Sequence, residues 1–333
     1  MSSLESNSHQ VVARNAGQLP SVSIIVCTRD RSDMVGRTIE SILNVDLDPN
    51  QKVELIVVDN GSTDGTADIV KAFNPSRFPV RYVYEETAGK SNALNRAISE
   101  SRSEVLMFTD DDVEVPQDWL VGISHLYCDP NIHAVQGRIH LHPNIAKPWM
   151  EGLHRIYLAE FDAPVAATFI GANASARRLS VIACGGFHVE LGPGSPQGFG
   201  EDDYLGHLLT EKFGAIKVYT GAPVIHSPRV DRLTRKSLFT RMELQVKSEI
   251  RLRNLEHSEF PQQAKRPVWF NWMLLQSKIL RDRLLHPSSP ATQDELGGYR
   301  SLLLSKHIAS LQPSKASRRH CDGDLTFGVI TRQ

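Results

Sequence analysis

Four short apolar runs, Val22-Ser23-Ile24-Ile25-Val26-Cys27, Val53-Glu54-Leu55-Ile56-Val57-Val58, Val80-Arg81-Tyr82-Val83-Tyr84 and Val105-Leu106-Met107-Phe108, alternate with amphipathic helical stretches near residues 33–43, 66–73 and 91–99. Repeated strand–helix units of this length call for parallel strands joined by right-handed crossovers. The strands are apolar almost continuously rather than at every second position, so helices must cover both faces of the sheet. The sequence thus predicts an α/β fold, in which ligands gather at the carboxyl ends of the strands.

Those ends carry the polar chemistry. Phe108 runs straight into Thr109-Asp110-Asp111-Asp112. Adjacent carboxylates repel one another and are costly to desolvate, so they persist best beside a cation. Oxygen ligands suit Mg²⁺ or Mn²⁺, ions that also hold phosphate oxygens, and the competing reading is a solvated acidic turn. Val58 leads into Asp59-Asn60-Gly61-Ser62-Thr63-Asp64-Gly65-Thr66, a tight turn and helix start. Asp64 or Thr63 can cap that helix. Capping leaves Asp59 unexplained, and its strand-end position suits a hydrogen bond to a base or ribose. The glycine spacing is not that of a dinucleotide fingerprint. Ala88-Gly89-Lys90-Ser91 resembles the end of a P-loop, but that motif needs glycine where this chain has Tyr84. A lysine opening a helix still suits phosphate or base.

Further along, a helix is expected near residues 117–127 and a strand near 134–141. The loop Gly192-Pro193-Gly194-Ser195-Pro196-Gln197-Gly198-Phe199-Gly200 reads as a lid. Glu201-Asp202-Asp203 then opens a helix carrying Leu205, Leu208 and Leu209. First-turn carboxylates complement the helix dipole, and a carboxylate after such a loop is equally what a general base requires. His226 ends the run Ala222-Pro223-Val224-Ile225, ahead of the basic stretch Arg229-Val230-Asp231-Arg232. That stretch can hold a diphosphate or an anionic acceptor.

In this order, the motifs resemble glycosyltransferase family 2, nucleotide-sugar-dependent enzymes of the GT-A fold. The likeness spans about Ser21 to Thr234 and includes Ser23-Ile24-Ile25-Val26-Cys27-Thr28-Arg29-Asp30-Arg31, Val58–Thr66, Gly89-Lys90-Ser91-Asn92-Ala93-Leu94-Asn95 and Asp110-Asp111-Asp112 as a DxD motif. Gly171-Ala172-Asn173-Ala174-Ser175-Ala176-Arg177-Arg178, Gly185-Gly186-Phe187 and Gly200-Glu201-Asp202 complete it. The resemblance implies a GT-A, Rossmann-like, mostly parallel central sheet flanked by helices. It implies donor binding by Thr28, Arg29, Asp59, Lys90, Asp110 and Asp111, with Asp59 toward the base and Asp110 toward the ribose. Asp112 and His226 would hold Mn²⁺ or Mg²⁺, Asp202 would be the general base, and Asn173, Glu201 and Arg232 would lie on the acceptor side. Inverting transfer of a single sugar from a nucleoside-diphosphate sugar, UDP first, to a glycan, lipid-linked or small-molecule hydroxyl follows from the same likeness. Asn60 stands where Asp is usual, and His188 replaces a commonly acidic position. The Gln-x-x-Arg-Trp motif of the processive members is absent.

Domain organisation follows: a disordered lead-in over 1–20, a catalytic domain over 21–232 with a nucleotide-sugar half to about 115 and an acceptor half from 116, a mainly helical extension over 233–312, and a loosely ordered tail over 313–333. The 37 Lys and Arg against 38 Asp and Glu single out no charged partner and argue against nucleic acid. The four cysteines form no CxxC pair, which fits a reducing compartment, and Cys27 reads as a small core residue. Apolar stretches fall short of the roughly 20 residues of a membrane span, and residues 1–20 lack a signal core, so a cytoplasmic location is expected. Between Pro228 and Arg283, 13 Lys and Arg face six Asp and Glu. With Trp269 and Trp272, residues 266–283 read as a helix packed on the domain; peripheral membrane contact and a homodimer are the alternatives. Two other functions compete with sugar transfer. A nucleotidyltransferase would need a Gly-rich phosphate loop near the first strand. A silent nucleotide-sugar-binding scaffold would have no use for a base.

Overall fold

The computed structural model describes residues 18–145 except 76, residue 155, residues 158–162, 168–195 and 198–234, and positions 237, 240, 241 and 244. The expected lead-in, helical extension, tail and 266–283 segment lie almost wholly outside the described residues.

The strands are β1 (Val22–Thr28), β2 (Val53–Asp59), β3 (Val80–Tyr84), β4 (Val105–Asp110), β5 (Val113–Glu114), β6 (Ala134–Leu141), β7 (Ala174–Arg177) and β8 (Lys217–His226). The helices are α1 (Val35–Leu43), α2 (Thr66–Ala72), α3 (Lys90–Glu100), α4 (Trp119–Leu126), α5 (Arg178–Ala183) and α6 (Glu201–Phe213). All eight strands form one sheet in the order β3-β2-β1-β4-β7-β6-β8-β5. As expected, β1 to β4 pair in parallel. Beyond β4 the directions mix: β7 runs antiparallel to both β4 and β6, β6 is parallel to β8, and β5 is antiparallel to β8.

Successive strand residues point to opposite faces, which explains why the runs are apolar throughout. Ile24, Val26, Leu55, Val57, Val105 and Met107 pack with Val35, Ile39 and Ile42 of α1, Val70 of α2 and Trp119, Leu120 and Ile123 of α4. Their neighbours Ile25, Ile56, Val58, Leu106 and Phe108 pack on the other face with Ala93, Leu94 and Ala97 of α3, Val181 of α5 and Leu205 and Leu209 of α6. Polar tips within these layers are satisfied: Trp119 Nε1 donates to Asn173 Oδ1 at 2.8 Å, and the Tyr127 hydroxyl to Ser175 Oγ at 2.9 Å. None of the helices among the described residues is long and apolar enough to cross a membrane.

The sequential order reverses at β1, which has β2 on one side and β4 on the other. At such a switch point a crevice opens beyond the carboxyl ends of the strands. In register, Thr28 lies beside Asp59 and Cys27 beside Asp110, so three separated motifs meet at one sheet edge.

Candidate active site

A cavity of about 730 Å³ occupies this edge, large enough for a nucleotide-sized ligand. The three carboxylates after β4 meet three different environments. Asp110 Oδ1 lies 2.5 Å from Lys90 Nζ. Asp111 is buried, accepts a 2.7 Å hydrogen bond from Thr28 Oγ1 and lies 3.9 Å from Arg31 Nε. Burial, and then the neighbouring Asp112 charge, push its carboxyl above the usual range. Asp112 precedes β5, whose Val113 is paired with His226 of β8. That pairing sets His226 Nε2 3.2 Å from Asp112 Oδ1.

Asp112 and His226 form a buried pair with unsatisfied atoms. His226 Nδ1 bonds the Leu158 carbonyl at 2.8 Å and so carries a proton, leaving Nε2 turned toward Asp112. The two groups attract, yet neither Nε2 nor either Asp112 oxygen has an aligned hydrogen-bond partner, although all three are buried. Burial alone would raise the Asp112 pKa; the charges of His226, Arg232 and Arg31 outweigh it and hold it well below the carboxylate range. Burial would lower the pKa of His226, but Asp112 outweighs that and raises it. Buried orphan atoms of this kind call for a partner. Asp110, Asp112 and His226 each bring a ligand atom within 4.8 Å of the others. A divalent cation fits this donor set, and the Nδ1 bond to a backbone carbonyl is the support a metal-binding imidazole receives. The imidazole nitrogen of this set favours Mn²⁺ over Mg²⁺. The set also places Asp110 among the metal-capable residues.

On the β1–β2 side, Thr28, Arg29 and Lys90 line the cavity. Asp59 does not. It is buried at the end of β2, with its oxygens taken by the Ser62 N–H at 2.8 Å and the Tyr82 hydroxyl at 2.9 Å. Its neighbour Asn60 does face the cavity, and the structure accounts for an amide there. Asn60 Nδ2 donates to the carbonyls of Thr87 at 2.7 Å and Glu85 at 3.1 Å, while Oδ1 accepts from the Gly89 N–H at 2.8 Å. A carboxylate could not make the two donations. Cys27 lies on the cavity wall and not purely in the core, because its strand ends at the crevice. Burial pushes its thiol up to about 12, so it stays protonated and unreactive.

On the other side, α6 brings its first turn to the cavity. Gly200 supplies the left-handed backbone, φ 93°, that turns the chain into the helix. Asp202 Oδ2 accepts the Gly171 N–H at 3.0 Å, which fixes the carboxylate on the cavity wall. Lys90 sits among these acids: burial would lower its pKa, but Asp110, Glu201 and Asp202 outweigh that and raise it. The Gly-rich loop lies against this corner. The Lys90 N–H donates to the Pro193 carbonyl at 2.8 Å, and Ser91 Oγ to that of Leu191 at 2.8 Å. A Cβ at Gly192 would meet Glu201 Cδ at 2.9 Å, so glycine lets the loop close over that side chain. Asn173, expected on the acceptor side, lies instead in the sheet interior. It accepts from Trp119, and its Nδ2 donates to the Arg138 carbonyl at 2.8 Å. Arg232 does reach the cavity, 4.0 Å from Asp112 Oδ2.

Glu201 is buried, and desolvation, then the Asp202 charge, push its carboxyl up to about 8, with Lys90 opposing. It is therefore protonated at neutral pH in the folded state and ionised in the unfolded state. Between pH 4.5 and about 8 the folded state binds the extra proton, so stability falls as pH rises. Glu201→Gln should remove this slope, worth at most about 1.4 kcal/mol per pH unit, and make the variant the more stable protein at pH 8. Thermal denaturation from pH 5 to 8 checks this; parallel curves for the two proteins would refute it.

Sequence reasoning missed several wall residues. Arg31, two residues past the β1 motif, braces Asp111. Glu160 and Asp162 line the outer rim, paired with Arg155 and Arg138 respectively. Arg241 enters from the segment expected to be an appended helix. The Arg31 position was signalled by its place in the first motif; the rim residues and Arg241 carry no local motif.

Residues 23–182 match the model of glycosyl transferase family 2. A beta-monoglucosyldiacylglycerol synthase of Nostoc sp. is 29% identical over 126 residues, 37% of this chain and 26% of that protein. The chain therefore matches about a quarter of that relative's length. Among solved structures, the mannosyltransferase PcManGT of Pyrobaculum calidifontis, in complex with GDP-Man and Mn²⁺, superposes with a TM-score of 0.54 at 20% identity, covering 91% of this chain and 79% of that one. TarS 1–349 of S. aureus, in complex with UDP-GlcNAc, gives 0.50 at 16% identity, over 86% and 92%. The fold is thus that of the GT-A enzymes, and over residues 23–182, with their ordered strand-end motifs, the chain is similar to glycosyltransferase family 2.

Proposed function

We propose that this chain transfers a single sugar from a nucleoside-diphosphate sugar to a hydroxyl acceptor, with inversion, through a catalytic unit spanning residues 21–232. One observation carries the reading. A single cavity joins Asp112, backed by the buried His226 3.2 Å behind it, to a fixed carboxylate, Asp202. Asp110, Asp112 and His226 would hold Mn²⁺ or Mg²⁺, and such an ion stabilises the charge that develops on a departing diphosphate. Thr28, Arg29 and Lys90 would grip the nucleotide. Asp59 would act through the Ser62 turn unless Tyr82 releases it to a base. Lys90 keeps its charge and can turn from Asp110 to a phosphate oxygen. A sugar hydroxyl is a poor nucleophile at neutral pH, so Asp202 takes its proton as the new bond forms. Glu201, protonated beside it, is not available for that task. A base on the acceptor side suits a single in-line displacement, which inverts the anomeric carbon.

The acceptor is a glycan, a lipid-linked sugar or a small molecule; the diacylglycerol of the Nostoc relative's name makes a lipid worth testing first. Calorimetric titration with UDP, GDP and dTDP, each with and without Mn²⁺, tests the donor half. The expected result is metal-dependent binding of one nucleotide, UDP first. Binding of none would overturn sugar transfer. Binding without turnover of any nucleotide sugar, water included as acceptor, would favour the silent scaffold.

A further inference from the structure

We propose that Arg241, reaching back from beyond the catalytic unit into the cavity that Asp112 and Glu201 also line, binds the diphosphate of the donor. The inference rests on the sugar-transfer reading and extends it to a residue outside the family's matched segment, which ends at residue 182.

Arg241 lines the cavity, with its guanidinium carbon 5.1 Å from the ring centroid of Phe199, itself a wall residue in the Gly-rich loop. The ring fixes the plane of the guanidinium and shields it from water. Its Nε is buried and has no hydrogen-bond partner. Among the described residues Arg241 forms no ion pair, although carboxylates share its cavity. The two at the metal-capable site are engaged elsewhere: Asp110 with Lys90, and Asp112 with His226 and Arg232. Burial, and then the like charge of Arg232, lower the Arg241 pKa to about 10, which still leaves it charged at neutral pH.

A half-buried cation with a stranded, buried Nε and no counter-ion among the described residues is costly unless a ligand supplies one. Arginine's planar fork matches two oxygens of a phosphate, and a diphosphate carries enough oxygens to engage a cation and an arginine together. Arg241 shares the cavity with the metal-capable trio, so the group most suited to both is the diphosphate and not the nucleoside. An arginine that only packs on Phe199 would keep that role when replaced by methionine of similar length.

The test compares Mn²⁺-dependent binding of UDP and UMP, and in parallel GDP and GMP, to the full chain, Arg241→Met and Arg241→Lys. Loss of a charge-assisted hydrogen bond predicts diphosphate binding weakened about 10- to 100-fold in Arg241→Met. Monophosphate binding should weaken far less, and Arg241→Lys should fall between. The unliganded Arg241→Met protein should melt no lower than wild type, because the stranded Nε is gone. Diphosphate affinity unchanged in Arg241→Met would overturn the proposal. So would equal weakening of diphosphate and monophosphate, which marks a general loss of the pocket. Wild-type protein that binds none of UDP, GDP and dTDP would overturn the sugar-transfer reading as well, so the two failures are distinguishable.

Discussion

Asp202→Asn is expected to slow sugar transfer by about 10²- to 10⁴-fold, the range that a positioned general base contributes. Nucleotide affinity should stay close to that of wild type. The substitution is chosen for its geometry. Asp202 Oδ2 accepts the Gly171 N–H at 3.0 Å, and the asparagine carbonyl can take over that bond. What disappears is the capacity to accept a proton. Release of nucleoside diphosphate from its sugar donor, with water as acceptor, reads the effect before the true acceptor is found. If turnover survives in full, the base lies elsewhere, and Glu201 is the next candidate. That alternative has its own signature. Because Glu201 is held protonated up to about pH 8, a reaction using it would speed up as pH approaches that value. A profile already flat at pH 7 excludes it.

The sequence made the nucleotide half of the fold legible because its signals are local. The strand runs beginning at Val22, Val53, Val80 and Val105 need no distant partner to be recognised, and the strand over 134–141 was bounded correctly by its own composition. The antiparallel insertion of β7 between β4 and β6 was not legible. Ala174–Arg177 is a four-residue run of small and polar residues whose place depends on its two neighbours. The site shows the same division. Asp110, Asp112 and Asp202 announce themselves as clustered carboxylates at element ends. The roles of Asn173 and Asp59 are set instead by what folds onto them: the Trp119 indole takes Asn173 inward, and the Tyr82 hydroxyl closes over Asp59. Residue type and spacing cannot foretell such contacts. Asn60, by contrast, is a departure from the family pattern that becomes intelligible only once the carbonyls of Glu85 and Thr87 are seen to need a donor.

The second large effect concerns the metal. In the wild type, Mn²⁺ with the bound nucleotide should raise the melting temperature well beyond either alone, since a ligand that binds only the folded state stabilises by mass action. In Asp112→Ala that joint increment should vanish, and nucleotide binding should no longer respond to Mn²⁺. Both Asp112 oxygens and His226 Nε2 are buried without aligned partners, and Asp110 brings a third donor within 4.8 Å. Removing Asp112 takes away the anionic centre of this trio. His226 remains anchored through Nδ1 to the Leu158 carbonyl and, freed from the Asp112 charge, can stay neutral in its buried site. The metal-free variant should therefore keep the wild-type fold, which circular dichroism checks. This separates loss of a ligand set from loss of structure. If Mn²⁺ dependence persists in Asp112→Ala, the ion is held elsewhere, and the close approach of Asp112 and His226 is an internal ion pair and nothing more. If it is lost while Asp202→Asn keeps it, the two walls of the cavity carry separate tasks, one for the departing diphosphate and one for the incoming hydroxyl.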